Sequence, residues 1–279
     1  METPSYDELS PLITMALKED IGSGDITSNA IFEEYHFTHA RIYSKGEGVF
    51  CGGFLIEYIY HTMDTAVSVT LYRSEGAPVK KDDVIADIEG NVRTLLSGER
   101  TVLNFLQRTC GIATRTARMV AIVRDTNIKI LDTRKTLPGF RLLDKYAVWC
   151  GGGTNHRMGL YDMVLIKDNH IKAAGGILQA VELIKRAYDN RFVIEVEVET
   201  LNQVQEAVEA GADIIMLDNM SKDRIALALS IINGKAKVEV SGNMDEHTLK
   251  EVCDLPIDYV SIGALTHSVK AFDLSMRLL

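Results

Sequence analysis

The stretch from Asp132 to His170, DTRKTLPGFRLLDKYAVWCGGGTNHRMGLYDMVLIKDNH, gathers the side chains best suited to hold an anion. From Arg134 to Lys172 it carries seven Lys or Arg and three Asp or Glu, an excess of four positive charges in a chain of net charge −9. A basic island in an acidic protein predicts one small anionic ligand rather than a long polyanion. Arg134, Lys135, His156, Arg157 and Lys167 are its donors. Arg grips a carboxylate or phosphate with two parallel N–H bonds, while Lys acts as a point charge. Gly139, Gly151, Gly152, Gly153 and Gly159 let backbone come close to such a ligand.

Two further groups complete the chemistry. Glu197 and Asp218 are carboxylates that can hold Mg²⁺ or stabilise a developing cation. Glu195, Glu197 and Glu199 share one face by period-two parity, so the pattern alone leaves open which of them acts. Ser241-Gly242-Asn243 and Gly263 stand at strand-to-helix turns, where backbone N–H groups cradle phosphate. The expected ligand thus has carboxylates at one end and a terminal phosphate at the other, with a metal-bound polyanion between.

The elements that must position these residues follow a cadence. Candidate strands are 128–133, 163–168, 192–199, 213–219, 237–242 and 259–265, with amphipathic helices between most of them. Glu197, Asp218 and Ser241 are 21 and 23 residues apart, and Gly263 follows 22 later. That is the rhythm of repeated βα units, hence a parallel sheet with right-handed crossovers. Six or seven units favour a parallel α/β barrel over an open sheet. Ligands of such barrels sit at the C-terminal strand ends, where all these residues fall.

Upstream the pattern differs. Residues 5–19 predict an amphipathic helix capped by Ser5 or Asp7, and 20–25 a glycine-rich loop. Residues 36–96 mix short strands with a helix at 52–63, which predicts a small α+β unit with an antiparallel sheet. A long helical stretch, 97–126, is expected to break or bend at Gly111. Arg100 near its start opposes the helix dipole. It is either a solvated surface Arg or one offered to an anion. The expected domains are 1–110, joined by a C-terminal helix at about 268–279, and a barrel at 111–267.

Composition narrows the class. The 279 residues are 46% hydrophobic and 25% charged, ordinary for a globular protein. The acidic balance argues against nucleic acid as the main partner. No apolar run approaches a membrane span, and the N-terminus lacks the basic region of a signal peptide. Four scattered cysteines, without CxxC or metal-finger spacing, predict reduced thiols and a cytoplasmic location.

GERTVLNFLQ, CGIAT, DTRKTLPGFR, KYAV, GGGTNHRMGLYDMVLIKDNHI, EVEVE, MLDN and SIGALTHS, in this order over nearly the whole chain, resemble the quinolinate phosphoribosyltransferase family. DTRKT followed by GGGxNHR and LIKDNH is highly specific. The resemblance implies an incomplete parallel α/β barrel (TIM-like) with an N-terminal α+β sandwich domain, and a pentosyltransferase of de novo NAD biosynthesis. It would convert quinolinate and phosphoribosyl pyrophosphate to nicotinate mononucleotide, pyrophosphate and CO₂, with Mg²⁺. It implies a homodimer or higher homo-oligomer in which Arg100 reaches the neighbouring subunit's site. Arg100, Arg134, His156, Arg157 and Lys167 would bind the quinolinate carboxylates. Lys135 would meet quinolinate or the ribose pyrophosphate. Glu197 and Asp218 would engage the ribose hydroxyls and Mg²⁺. Ser241, Gly242, Asn243, Gly263 and His267 would surround phosphate, and Thr133, Ser261 and Ile262 complete the substrate-binding set. Lys135, Lys167, Glu197 and Asp218 form the catalytic set. Asn243 departs from the family's usual Gly, and Cys110 from its commoner Ser.

Three other readings stay open at this stage. One is a related pyrophosphorylase of the same fold associated with molybdenum transport. Another is a Schiff-base aldolase using Lys167. The third is a non-catalytic anion sensor, for which the Glu197–Asp218 pair would be superfluous.

Overall fold

A computed structural model describes residues 1–279. They divide into two units. Unit 1 is Met1–Ala117 with Leu137–Gly152 and Ser268–Leu279; unit 2 is Arg118–Thr136 with Gly153–His267. The chain runs α1 (Tyr6–Ile21), α2 (Ile26–Ile31), β1 (Phe37–Ser44), β2 (Gly48–Val49), α3 (Gly53–Met63), β3 (Ser68–Leu71), β4 (Pro78–Val79), β5 (Val84–Asn91) and α4 (Val92–Ile122). It continues with β6 (Lys129–Leu131), α5 (Arg141–Cys150), β7 (Val164–Ile166), α6 (Asp168–Ala174), α7 (Ile177–Tyr188), β8 (Ile194–Val198) and α8 (Leu201–Ala210). It ends with β9 (Ile214–Asp218), α9 (Lys222–Ile232), β10 (Lys237–Ser241), α10 (Glu246–Val252), β11 (Tyr259–Ser261), α11 (Ala264–His267) and β12 (Leu274–Leu278).

In unit 1, Ser5 starts α1 with a capping box: its side chain accepts from the Glu8 N–H, and Glu8 accepts from the Ser5 N–H at 2.9 Å. Leu9, Ile13 and Leu17, four residues apart, are buried along one face. They join Ile56, Ile59 and Tyr60 of α3 in a core completed by Ala40, Ile42, Ile85 and Ile88 of the antiparallel sheet β12-β1-β5-β3.

Three expectations about this unit are corrected. The C-terminal segment is a strand, not a helix: β12 pairs antiparallel with β1, Leu274 opposite Ser44 and Met276 opposite Ile42. Its side chains pass from buried Leu274 to exposed Leu278, and it occupies the edge of β1 that β5 leaves free. Second, Arg100 lies in the third turn of α4, which begins at Val92, so it meets no dipole conflict; it is exposed. Third, α4 runs unbroken through Gly111. What the glycine provides is space, because a Cβ there would overlap the carbonyl oxygen of Lys270. Gly111→Ala is therefore expected to destabilise unit 1 by about 1–3 kcal/mol through overpacking, read as a lower melting temperature. An unchanged melting temperature would show that the C-terminal segment yields freely.

Residues 137–152, expected in the barrel, group with unit 1. Asp144 of α5 is fully buried and takes two 2.8 Å bonds from Arg108 of α4. Burial raises the Asp144 pKa, and the guanidinium opposes that shift.

Unit 2 holds six parallel strands in the order β6-β11-β10-β9-β8-β7. The first strand lies beside the last, as in a barrel, and the wall is open between β6 and β7. A single bridge from Leu131 to Thr154 extends β6 on that side. Caps at Thr200, Ser221 and Asp245 start α8, α9 and α10 soon after the strand ends. Register aligns Asp218 with Ser241 and Leu131 with Ser261, so the residues that follow each strand emerge on one rim.

Candidate active site

The rim of unit 2 carries the predicted residues in three neighbourhoods. After β6 the chain delivers Thr133, Arg134 and Lys135. Thr133 Oγ1 accepts the Lys135 N–H at 3.0 Å, and Thr266 donates to the Lys135 carbonyl at 2.9 Å, so this loop is held from both ends. Asp132, fully buried, anchors the next loop: it accepts the Asn155 side chain at 2.6 Å and the His156 N–H at 2.9 Å. Those two bonds set the stretch that presents Arg157.

Arg134 and Arg157 stand near each other. Arg157 is buried; one guanidinium N–H donates to the Met163 carbonyl at 3.1 Å. Burial lowers its pKa, and the neighbouring Arg134 charge lowers it further. The Nε of each guanidinium is buried without a partner. Two like charges held this close suit an anion between them.

The second neighbourhood is carboxylate-rich. Lys167, just after β7, pairs with Glu197 of β8 at 2.6 Å. Glu197 is half-buried, and Asp218 ends β9 with one oxygen accepting the Asn219 side chain at 2.8 Å. The parity question is resolved by depth: Glu195 is fully buried, Glu197 reaches the rim, and Glu199 is exposed beyond the strand. Lys167 is thus engaged by a carboxylate instead of standing desolvated among apolar groups, the setting a Schiff-base lysine needs. His170 has the structural role of accepting the Lys167 N–H at the start of α6.

The third neighbourhood is glycine-dependent. Gly242 has φ +97°, and a Cβ there would overlap the backbone and side chain of Asn219. Asn243 adopts φ +50° and donates to the Asn219 side chain at 3.1 Å. Asn is among the few non-glycine residues that accept this left-handed conformation, so the departure at 243 keeps the turn. Gly263 leaves little room beside Lys135 and His267, bringing β6 and β11 loops together. Ser241 and Ser261 end their strands. Ile262 is a core residue whose N–H is already spent on the Leu131 carbonyl at 2.9 Å.

His156 has protein atoms at both ring nitrogens. Nδ1 accepts the Arg157 N–H at 2.8 Å, and Nε2 lies 2.9 Å from Glu195. Glu239 of β10 is 3.7 Å from the same nitrogen. Burial raises Glu195 to about 7 and Glu239 to about 8. Sequence alone assigns no role to Asp132, Asn155 or Glu239, and leaves Glu195 undistinguished from Glu197 and Glu199. Parity could have found the glutamates: each lies two residues before a rim residue, Glu197 or Ser241, so each points into the barrel. A carboxylate there demands a partner.

Fold and rim together define an α/β-barrel enzyme for a small polyanion. The comparisons are specific: residues 25–110 match the N-terminal domain model of quinolinate phosphoribosyl transferase, and 112–277 the C-terminal domain model. The chain belongs to this family. It is 45% identical over 269 residues to the probable nicotinate-nucleotide pyrophosphorylase [carboxylating] of Bacillus subtilis, covering 96% of this chain and 93% of that one. It is 40% identical to a mitochondrial quinolinate phosphoribosyltransferase [decarboxylating] of Nicotiana glauca, covering 99% of this chain and 83% of the relative. The crystal structure of NadC from Streptococcus pyogenes superposes with a TM-score of 0.96 at 40% identity, over 100% of this chain and 99% of that one.

Proposed function

We propose that the chain transfers a phosphoribosyl group to quinolinate, releasing pyrophosphate and CO₂ and forming nicotinate mononucleotide for NAD biosynthesis. The observation that carries this reading is the Arg134–Arg157 pair at the barrel rim, two guanidinium groups close enough for the Arg134 charge to lower the Arg157 pKa, an arrangement suited to carboxylates. Family membership and relatives named for this reaction support it.

The residues fit a division of labour. Arg134 and Arg157 hold the substrate carboxylates, and Lys135 bridges toward the phosphorylated donor. Gly242, Asn243 and Gly263, with Ser241, Ser261 and His267 beside them, receive its phosphate. Glu197 and Asp218 face the ribose. Both offer hard oxygen donors without a closed set of protein ligands, which suits a Mg²⁺ that enters with pyrophosphate. When bound, the ion neutralises charge on the departing pyrophosphate. As that bond breaks, Glu197 and Asp218 stabilise the positive charge growing on the ribosyl carbon, and the pyridine nitrogen attacks it. The resulting pyridinium accepts the electrons of the breaking C–C bond, so the 2-carboxylate leaves as CO₂ and a proton takes its place. The chain's contribution is positioning and electrostatics.

Arg100 is exposed on α4 and suits a role in a neighbouring subunit's site. The homo-oligomer this requires is supported by exposed Leu160, Tyr161, Leu183 and Tyr188 beside β7, the free edge of the parallel sheet. Four free cysteines suit a reducing, cytoplasmic setting, and no helix is long and apolar enough to cross a membrane.

The test is pyrophosphate release from phosphoribosyl pyrophosphate with Mg²⁺, using quinolinate and nicotinate in parallel. Release with quinolinate alone is expected. Release with neither would overturn the substrate assignment.

A further inference from the structure

We propose that Cys51, Glu75 and Cys150 form a binding site for a thiophilic divalent cation, Zn²⁺ foremost, with two thiolates and a carboxylate as ligands and a fourth position open to water. All three residues belong to unit 1, whereas the substrate-binding rim is built from unit 2. The inference therefore does not depend on the proposed reaction.

Three segments distant in the chain are fixed so that the ligand atoms converge. Cys51 stands between β2 and α3. Thr109 of α4 donates to its carbonyl at 2.7 Å, and its N–H donates to Cys110 Sγ at 3.3 Å. Glu75 lies in the turn at 74–77. The Gly76 N–H donates to the Phe50 carbonyl and the Phe50 N–H to the Ala77 carbonyl, both at 2.9 Å, which holds that turn beside Cys51. Cys150 is the last residue of α5, and a Cβ on Gly76 would stand 3.1 Å from its carbonyl oxygen, so the same turn also abuts that helix end. Cys51 Sγ, Cys150 Sγ and a Glu75 carboxylate oxygen all lie within 4.8 Å of one another. Cys150 Sγ is 3.7 Å from Glu75 Oε2. A tetrahedral Zn²⁺, with bonds of about 2.3 Å to sulfur and about 2.1 Å to oxygen, separates neighbouring ligands by about 3.5–3.8 Å. One edge of the triangle already has that length.

The surroundings favour a metal over two idle thiols. Glu75 is held from behind: Oε2 accepts the Gly52 N–H at 2.8 Å and Oε1 the Gly53 N–H at 2.7 Å. The carboxylate is thus oriented with lone pairs to spare, the support that metal-ligating carboxylates have. Cys51 is fully buried, while Glu75 and Cys150 are partly exposed, which leaves an entry path and a wet side. Burial pushes the Cys51 thiol up, and Cys150, Glu75 and Cys110 push it further. A divalent cation reverses that balance, because a coordinating thiol is deprotonated outright. Binding releases the two thiol protons to solvent and leaves a complex of one net negative charge. Thiolate ligands select Zn²⁺ over Mg²⁺. A redox pair would need neither the carboxylate nor its two N–H donors.

The test uses the full chain, freshly reduced and stripped of metal by a chelator, with Co²⁺ as the spectroscopic probe and Zn²⁺ as its competitor. The parent, Cys150→Ser and Cys253→Ser are compared. The parent should take up Co²⁺ with the sulfur-to-metal charge-transfer absorption of a tetrahedral thiolate site. Zn²⁺ should abolish that absorption and raise the melting temperature. Cys150→Ser should lose the absorption and weaken Zn²⁺ binding more than about 100-fold, since even a group behind a ligand is worth about 10- to 100-fold. Cys253→Ser should match the parent. Ions at Glu197 and Asp218 meet oxygen alone and give no such absorption, so the rim does not mimic the result. No thiolate absorption in the parent would overturn the site, whatever the variants do. So would an absorption that persists in Cys150→Ser or disappears in Cys253→Ser. A Cys51–Cys150 disulfide formed in air by a chain that takes up no Zn²⁺ when reduced would likewise overturn it, and would make the two thiols a redox pair.

Discussion

Arg134→Ala is expected to weaken quinolinate binding by about 30- to 3000-fold, the equivalent of about 2–5 kcal/mol for removing one side of a buried, hydrogen-bonded charge pair. Two features of the site set this magnitude. Arg134 is partly buried, so its contact with a carboxylate would be made from a partly desolvated group. And Arg157, with one N–H already serving Met163, offers a single planar fork that grips one carboxylate in bidentate geometry and leaves the second to another cation. Calorimetric titration of quinolinate isolates the effect, since KM equals the dissociation constant only when chemistry is slow. The affinity for phosphoribosyl pyrophosphate should change much less. Arg134→Lys should recover only part of the loss, as an ammonium lacks the planar fork. Unchanged quinolinate affinity in Arg134→Ala would remove the basic socket from the mechanism.

The clustering of these cations was legible in the sequence because its chemistry is local. DTRKT and NHR place cations at fixed distances from strand ends, and the strand cadence places those ends on one rim. What stayed illegible depended on partners distant in the chain. The final strand reads ambiguously as KAFDLSMRLL; only its pairing with β1, more than two hundred residues earlier, decides its conformation. Gly111 looked like a break because helix propensity is counted along the helix, whereas its reason is the carbonyl of Lys270. Helix α5 lies between barrel segments in sequence, yet the buried Arg108–Asp144 pair ties it to unit 1. The same logic hid Glu195 and Glu239. Period-two parity shows that they point inward, but their shared contact with His156 joins β8, β10 and a loop. Asn243 is the converse case: it departs from the family's usual Gly, yet its φ of +50° is one that Asn accepts.

Glu197→Gln is expected to lower the rate of the chemical step by about 10²–10³-fold while leaving quinolinate affinity within a few-fold. Glutamine preserves volume and hydrogen-bonding shape, so the change isolates charge. In the parent one Glu197 oxygen is bound to Lys167 at 2.6 Å, which fixes the carboxylate at the rim. Its other oxygen is the one available to the ribose. Neutralising the residue removes negative charge where the ribosyl cation develops, and it also leaves the Lys167 ammonium unopposed nearby. Both effects raise the energy of a cationic transition state more than that of a bound, neutral ribose, so they should appear in kcat. Asp218→Asn acts at the end of the adjacent strand and should show the first effect without the second, because its protein partner is the neutral Asn219 side chain. A larger loss for Glu197→Gln than for Asp218→Asn is therefore expected. Single-turnover pyrophosphate release is the right assay, as it separates the chemical step from product departure. If both variants keep the parental single-turnover rate, the carboxylates only bind the ribose, and cation stabilisation must come from elsewhere on the rim.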